Sequence, residues 1–215
     1  MYVPHHFALD DPAEVVALVT SVGSANLVTV GPDGTPVATL LPIMWQPDRD
    51  RIVAHMARAN PHWRLIHDDV PALAIVNAAQ AYVSPSWYAS KQEHGRVVPT
   101  WNYSAVHLTG SLRVHDDADW VREAVTLLTE VHESGREHPW AVTDAPERYV
   151  EGQLRAIVGI EMTVTAVEAK AKLSQNRSDA DRAGVVAGLL AEPRGDGVAE
   201  AMQRGCGQAP RTVGS

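Results

Sequence analysis

The chain has 215 residues, of which 45% are hydrophobic and 20% charged, and a formal net charge of −8 at pH 7. This length and composition predict a soluble protein with one main domain. The apolar runs fall short of the roughly 20 residues that a membrane-spanning helix needs, which argues against a membrane protein. The acidic balance, without a cluster of Lys and Arg, argues against direct contact with nucleic acid.

The amino terminus bears on the cellular compartment, and the single cysteine limits the disulfide and metal chemistry that the chain can have. Met1-Tyr2-Val3-Pro4 lacks the basic and apolar regions of a secretion signal, so we expect a cytoplasmic protein. Cys206 is the only cysteine, which excludes an internal disulfide and a zinc site built from several cysteines. The ten histidines are scattered along the chain, and several of them could serve a site.

The apolar periodicity predicts an antiparallel barrel with flanking helices. Asp-Asp-Pro at 10–12 caps a first helix, and Gly-Pro-Asp-Gly at 31–34 predicts a tight turn between two strands. The sequence rich in Gly, Pro and Arg predicts a disordered tail over 191–215, which leaves 1–190 as the domain. The predicted helices cover 13–22, 61–66, 119–133 and 147–154, and the predicted strands cover 26–30, 35–44, 51–56, 72–77, 81–87, 106–115 and 156–167, with a bulge at Gly159.

Three segments combine residues that could carry chemistry. Arg58 and Asn60 stand where a strand leads into a short helix, whose free N–H groups and dipole favour a phosphate or carboxylate; an ordinary capped helix would look the same. The stretch 82–107 is rich in Pro, Tyr and Trp and is typical of a loop that lines a ligand pocket or a subunit interface. The polar run 170–177 places cations and amides after the last strand, and its chemistry alone does not separate a site from a solvated turn.

Several of these segments together identify a family. Tyr-Val-Ser-Pro-Ser-Trp-Tyr at 82–88, Val-Pro-Thr-Trp-Asn-Tyr at 98–103, Ala-Arg-Ala-Asn-Pro at 57–61 and Lys-Leu-Ser-Gln-Asn-Arg at 172–177 resemble the PaiB family. The resemblance implies an α+β fold, an antiparallel split β-barrel with flanking helices. It also implies an obligate homodimer that holds its cofactor between subunits, as in the FMN-binding negative transcriptional regulators of this family.

Small or apolar residues replace larger or polar ones at several family positions. Ser24 stands in the family's Pro-Phe-Ala-Thr segment, Leu40 replaces a His, and Ala78, Ala79 and Ala171 replace Gly-Pro and an aromatic residue. Lost side-chain volume must be filled or must collapse, so a larger ligand than FMN could occupy it. The chain is in this respect similar to the PaiB-like branch of haem-dependent piperazate synthases. These enzymes close N5-hydroxy-L-ornithine into L-piperazic acid by forming an N–N bond.

We therefore expect haem b as the cofactor of a dehydrative cyclase that acts on a hydroxylated diamino acid. Iron would polarise the N–O bond while a protonated side chain assists the departure of water. The alternative is an FMN-binding PaiB-type regulator or a flavin reductase-like protein, in which the same cations hold the flavin phosphate. The residues implied are His55, His62 or His107 as axial ligand, Arg58, Asn60, Lys172 and Arg177 for the anionic groups of the cofactor, His94 or Lys91 as catalytic acid, and Trp101, Asn102 and Tyr103 beside a flavin ring bound to the partner subunit.

Overall fold

The computed structural model describes residues 1–67 and 69–205. Six strands close into an antiparallel barrel in the order β1-β2-β3-β6-β5-β4, and helices flank it, as the sequence predicts. The strands are β1 Ser24–Val30, β2 Pro36–Gln46, β3 Arg51–Ala57, β4 Val70–Val83, β5 Thr100–His115 and β6 Ile157–Lys172; the α-helices are α1 Pro12–Val22, α2 Ser90–His94, α3 Ala118–Glu133, α4 Glu147–Leu154, α5 Asp179–Leu190 and α6 Asp196–Gly205.

The chain divides into two compact units. The first, which we call the barrel unit, comprises Asp11–Val76 and Val106–Glu168. The second, the terminal unit, comprises Met1–Asp10, Asn77–Ala105 and Ala169–Ser215, of which the structure describes the residues up to 205.

The barrel unit begins with elements that its sequence specifies closely. The Asp11 carboxylate accepts a hydrogen bond from the Ala13 amide (2.8 Å) and caps α1, which ends at Gly23 in the left-handed conformation with φ +64°. Strands β1 and β2 then pair around the predicted turn, with Val30 opposite Pro36. Alternate residues of both strands, such as Leu27, point into a barrel interior filled with apolar side chains.

Gly159 lies in regular pairing rather than in a bulge, so this prediction is wrong. It stands opposite His55 in the β3–β6 ladder. A Cβ atom at this position would lie 2.1 Å from a ring carbon of Trp120 on α3. The glycine is therefore needed because the indole ring packs directly on the backbone of the sheet.

The predicted break between two strands near residue 80 is also absent. Strand β4 runs without interruption from Val70 to Val83, and Ala78 and Ala79 lie within it. Ladder hydrogen bonds outweigh the weak strand propensity of its Asn-Ala-Ala-Gln segment. The aromatic stretch that follows is ordered as a short 3-10 helix at Pro85–Trp87, then α2, then the start of β5.

The terminal unit has its own apolar core, and the carboxy-terminal sequence contributes to it. Helix α6 places Val198, Ala199 and Met202 in this core with Val83 of β4 and Leu189 of α5. The predicted disordered tail is therefore wrong for 196–205, because an apolar stripe at i, i+1 and i+4 is hidden among polar residues and glycines. Cys206 and the remainder of the predicted tail, 206–215, lie outside the described residues.

Within the described ranges, no helix has the length and apolar character needed to cross a membrane.

Candidate functional site

Lys172, a predicted anion-binding residue, lies at the end of β6 in the terminal unit. Its ammonium group donates hydrogen bonds to the Thr100 hydroxyl and to the Trp101 carbonyl oxygen (2.8 Å), both on β5. Burial lowers the pKa of Lys172; the Tyr103 hydroxyl opposes this effect, and the cations Lys170 and Arg177 lower the pKa further. Lys172 is thus close enough to two other cations to be affected by their charge.

Lys170 precedes Lys172 by two residues on β6 and is buried. Its ammonium group donates to the Tyr2 carbonyl oxygen (3.2 Å) and lies 5.6 Å from the centre of the Tyr2 ring and 5.2 Å from that of Tyr103. These contacts are with a neutral oxygen and aromatic faces. Lys170 is not among the residues predicted to bind the cofactor, although its i, i+2 spacing from Lys172 on a strand indicates that the two side chains share a face.

Aromatic side chains accompany these cations in the terminal unit. The Arg177 guanidinium lies 4.7 Å from the centre of the Tyr88 ring, and the buried Tyr88 hydroxyl has no hydrogen-bond partner among the described residues. Trp101 is 46% exposed, and its indole N–H donates to the Gln80 side chain (3.1 Å). An exposed aromatic face near cations is suited to a planar ligand that carries an anion.

Asn102 was predicted beside the cofactor, and its side chain is completely buried. Its amide nitrogen donates to the Ser174 hydroxyl (3.0 Å) and to the Met202 sulfur (3.5 Å), and its amide oxygen accepts from Ser174 (3.2 Å). The hydrogen-bonding groups of Asn102 are therefore engaged by the protein.

The two candidate catalytic acids lie on the exposed helix α2. The Lys91 ammonium group donates to the Ser86 hydroxyl (3.2 Å). The Nδ1 atom of His94 accepts a hydrogen bond from the Arg96 amide (3.0 Å). Both side chains face solvent in the terminal unit, and their catalytic role stays a prediction.

Arg58 belongs to the barrel unit, where its guanidinium group donates hydrogen bonds to other residues of the protein. The Nε atom donates to the Arg155 carbonyl oxygen (2.9 Å), and the terminal nitrogens donate to the Asp116 carboxylate and to the Ile157 carbonyl oxygen (3.1 Å). The hydrogen bond with Asp116 raises the pKa of Arg58. Arg58 thus joins the end of β3 to the start of β6 and has little donor capacity left for a ligand.

Asn60 and His62 form a second network in the barrel unit. Asn60 caps the short 3-10 helix Pro61–Leu65 by accepting from the His62 amide (3.0 Å), and its amide nitrogen donates to Thr39 (3.3 Å). The buried His62 ring contacts the Thr29 hydroxyl through Nε2 and the Thr39 hydroxyl through Nδ1, each at 2.8 Å. An iron bond at His62 would require one of these contacts to break.

The other two candidate axial ligands also lie in the barrel unit. His55 on β3 is partly buried, its Nδ1 atom has no partner among the described residues, and burial lowers its pKa. Burial also lowers the pKa of His107 on β5. No three His, Cys, Asp or Glu side chains in the described part of the chain are grouped to hold a metal ion.

The predicted site residues belong to both units. Lys172 of the terminal unit contacts Trp101 and interacts electrostatically with Tyr103 and Arg177, and this unit also contains Asn102, Lys91 and His94. The set in the barrel unit consists of Arg58 and Asn60 with His55, His62 and His107.

The closed barrel with flanking helices defines the class as a split-barrel protein. Solved structures share this fold. The FAD and heme binding protein from Mycobacterium smegmatis is 21% identical, with a TM-score of 0.57 over 80% of this chain and 77% of that one. A conserved hypothetical protein from Mycobacterium tuberculosis is 12% identical, with a TM-score of 0.58 over 82% of this chain and 92% of that one.

Sequence comparison assigns the family within this class. Residues 1–166 match the family described as "Putative FMN-binding domain". The chain is also 32% identical over 207 residues to the Protease synthase and sporulation protein PAI 2 from Bacillus subtilis, which covers 94% of this chain and 97% of that protein. The chain therefore belongs to the PaiB-like FMN-binding family, as the resemblance implied.

Proposed function

We propose that this chain binds FMN and that Lys170, Lys172 and Arg177 hold the flavin phosphate. One observation carries this proposal: the ammonium groups of Lys170 and Lys172 donate to neutral oxygens, and Lys172 is repelled by both Lys170 and Arg177 within one unit of an acidic chain. Charge-assisted hydrogen bonds to a phosphate would relieve the repulsion among them. The family match supports FMN as the phosphate-bearing ligand.

The remaining residues of the terminal unit fit the rest of such a ligand. The exposed Trp101 offers an aromatic face for a flavin ring, and Tyr103 lies beside the lysines. FMN, when bound, supplies hydride and single-electron transfer. The contribution of this chain is to anchor the phosphate and to exclude water from the ring.

We further propose a regulatory role exerted by a homodimer. The name of the Bacillus subtilis relative refers to protease synthesis and sporulation, which supports regulation rather than metabolism. The net charge of −8 argues that such regulation does not use direct contact with DNA. The alternative for an FMN-binding protein is a flavin reductase-like enzyme. Oxidation of NADH or NADPH by the FMN-loaded protein would distinguish this enzyme from a regulator.

Haem-dependent piperazate synthase activity is the second candidate. The Nδ1 atom of His55 favours it, because this imidazole nitrogen has no hydrogen-bond partner in the part of the chain that the structure describes and such a nitrogen can bind iron. The FAD and heme binding protein from Mycobacterium smegmatis has a similar fold, and at 21% identity this similarity extends to the fold alone. The contacts at both nitrogens of His62 and the family match favour FMN over this candidate.

An absorption spectrum of the purified protein separates the two cofactors. We expect flavin bands at about 370 and 450 nm, either as purified or after addition of FMN. A Soret band at about 400 nm with no flavin uptake would overturn the FMN proposal. Turnover of N5-hydroxy-L-ornithine would then establish the synthase.

Titration with FMN tests the proposed phosphate residues. Lys172→Gln and Arg177→Gln should each weaken FMN binding by about 10- to 100-fold, since a hydrogen bond to a charged group contributes about 1.5–3 kcal/mol. Arg204→Gln is the matched control, because Arg204 is an exposed cation of the same unit on α6. Equal affinity of all three variants for FMN would place the phosphate elsewhere.

A further inference from the structure

We propose that Asn102 and Ser174 form a positioning pair. This pair would hold the turn 172–177, and with it Lys172 and Arg177, in the geometry that binds the FMN phosphate. The inference rests on the proposed function and gives Asn102 a different role from a direct cofactor contact. Neither side chain of the pair needs to touch the ligand.

The Asn102 side chain is buried and hydrogen-bonded within the protein. Its side chain has no solvent exposure, and two hydrogen bonds with Ser174 run in opposite directions, at 3.0 and 3.2 Å. The second amide hydrogen points to the sulfur of Met202 (3.5 Å). With these bonds made, the amide group has no donor left for a cofactor, and its effect must pass through Ser174.

Ser174 has a strained backbone conformation. Its φ of +63° lies in the left-handed region, which is uncommon for a residue other than glycine and persists where the surroundings enforce it. Ser174 is 4% exposed, and its hydroxyl group accepts a hydrogen bond from the Asn102 side chain. The hydrogen bonds to Asn102 therefore restrain Ser174 from outside the turn and help to offset the backbone strain.

The rest of the turn shows why this restraint matters. The Gln175 side chain accepts from the Leu173 amide (2.7 Å) and donates to the Ala171 carbonyl oxygen, and the Arg177 amide donates to the Ser174 carbonyl oxygen (3.0 Å). These bonds are internal to the turn and its flanks. Two sets of side-chain hydrogen bonds tie the turn to β5: those between Asn102 and Ser174, and those from Lys172 to Thr100 and Trp101. The Asn102 pair acts at the residue with the strained backbone.

The position of Ser174 transmits the effect to the cations. Lys172 precedes it by two residues and donates to the Trp101 carbonyl oxygen, next to Asn102 in the chain. Arg177 follows it by three residues and lies over the Tyr88 ring. A change in the φ angle of Ser174 would move one cation relative to the other and would lower their joint affinity for one phosphate.

Two measurements on the full-length chain test the pair. The first is FMN affinity by fluorescence titration, and the second is amide hydrogen exchange over 172–177 in the FMN-free protein. Asn102→Ala and Ser174→Ala should each weaken FMN binding about tenfold and accelerate exchange in the turn. The double variant should bind FMN no more weakly than the weaker single variant, since both substitutions remove the same interaction.

Two further variants control for general loss of stability. Ser174→Gly removes the hydroxyl but adopts positive φ without steric cost, so its loss of FMN affinity should be smaller than that of Ser174→Ala. It also serves as the test if Ser174→Ala fails to fold. Ser104→Ala removes a buried hydroxyl from the same strand and should leave FMN affinity and exchange in the turn unchanged.

The outcomes separate this inference from the proposed function. If the wild-type chain binds FMN and Lys172→Gln weakens it, yet the Asn102 and Ser174 variants bind FMN normally, the positioning pair is refuted. If the wild-type chain binds no FMN, the proposed function fails. Hydrogen exchange still tests the pair in that case: faster exchange over 172–177 supports it, and unchanged exchange overturns it.

Discussion

His62 is a buried imidazole that joins two strands through threonine hydroxyls, and burial lowers its pKa. The unfolded chain takes up a proton at this side chain near pH 6.5, whereas the folded chain resists protonation to a lower pH. The unfolded state therefore binds more protons in the window below about pH 6.5. We predict that the free energy of unfolding falls as the pH drops through this window, and that above it His62 contributes no pH dependence.

Urea unfolding at a series of pH values checks this prediction. His62→Gln should reduce the acid-side slope, and partly buried histidines such as His55 and His115, whose pKa values burial also lowers, contribute to the slope that remains. His138→Gln replaces an exposed histidine and should leave the slope unchanged. An unaltered slope in His62→Gln would contradict the prediction.

Gly159 has a packing role that a methyl group would disrupt. We predict that Gly159→Ala costs about 1–3 kcal/mol of stability, because its Cβ would lie 2.1 Å from the Trp120 ring and 3.2 Å from the His115 Cβ. Gly135→Ala is the matched control, since a Cβ there meets nothing within 4 Å. It should change stability by less than about 0.5 kcal/mol. Equal denaturation midpoints for the two variants would show that the indole ring can shift.

At this scale the sequence indicates residues with local partners and misses those with distant ones. The Asn60 cap is readable because its partner, the His62 amide, is two residues away. The partners of the His62 ring, Thr29 and Thr39, lie 33 and 23 residues away, so the sequence left this histidine as a candidate iron ligand. Gly159 suggested a bulge because nothing local identifies Trp120 as its neighbour.

Helices α2, α5 and α6 are absent from the predicted elements, and Met202 is the largest buried side chain of α6. We predict that Met202→Ala costs about 2–5 kcal/mol, since it leaves a cavity in the core of the terminal unit. Met202→Leu keeps the volume and should cost less than about 1.5 kcal/mol. Gln203→Ala, at the exposed neighbouring position, should have little effect. A wild-type unfolding curve for Met202→Ala would mean that α6 is not docked in solution.

Element boundaries follow the strength of their local signals. Helix α1 and the β1–β2 hairpin begin and end close to the predicted residues, because a capping Asp, a left-handed Gly and an Asp-Gly turn mark them. Strands β5 and β6 extend well beyond their predicted ranges, since ladder pairing sustains polar residues such as Asn102 and Lys172. The extension of β6 carries Lys170 and Lys172 of the proposed phosphate site. The sequence named Lys172 without placing it on a strand and did not single out Lys170.

At the scale of the whole molecule, the proposed homodimer needs an apolar surface. The outer face of the β1–β2 hairpin offers one: Val30 is 58% exposed and Leu40 is 64% exposed, with Ala38 between them on the same face of β2. An exposed leucine on a sheet face gains stability when a second copy covers it. We therefore propose this face as the dimer contact.

We predict that Leu40→Asp converts the proposed homodimer to a monomer. In a twofold dimer each residue occurs twice, so the loss of about 1.5–3 kcal/mol per buried leucine becomes about 3–6 kcal/mol per dimer. This loss weakens association by about two to four orders of magnitude, before the added charges are counted. Size-exclusion chromatography with light scattering measures the change. Tyr149→Asp, at a residue 59% exposed on α4, is the control and should remain dimeric, whereas a dimeric Leu40→Asp would move the interface to another surface.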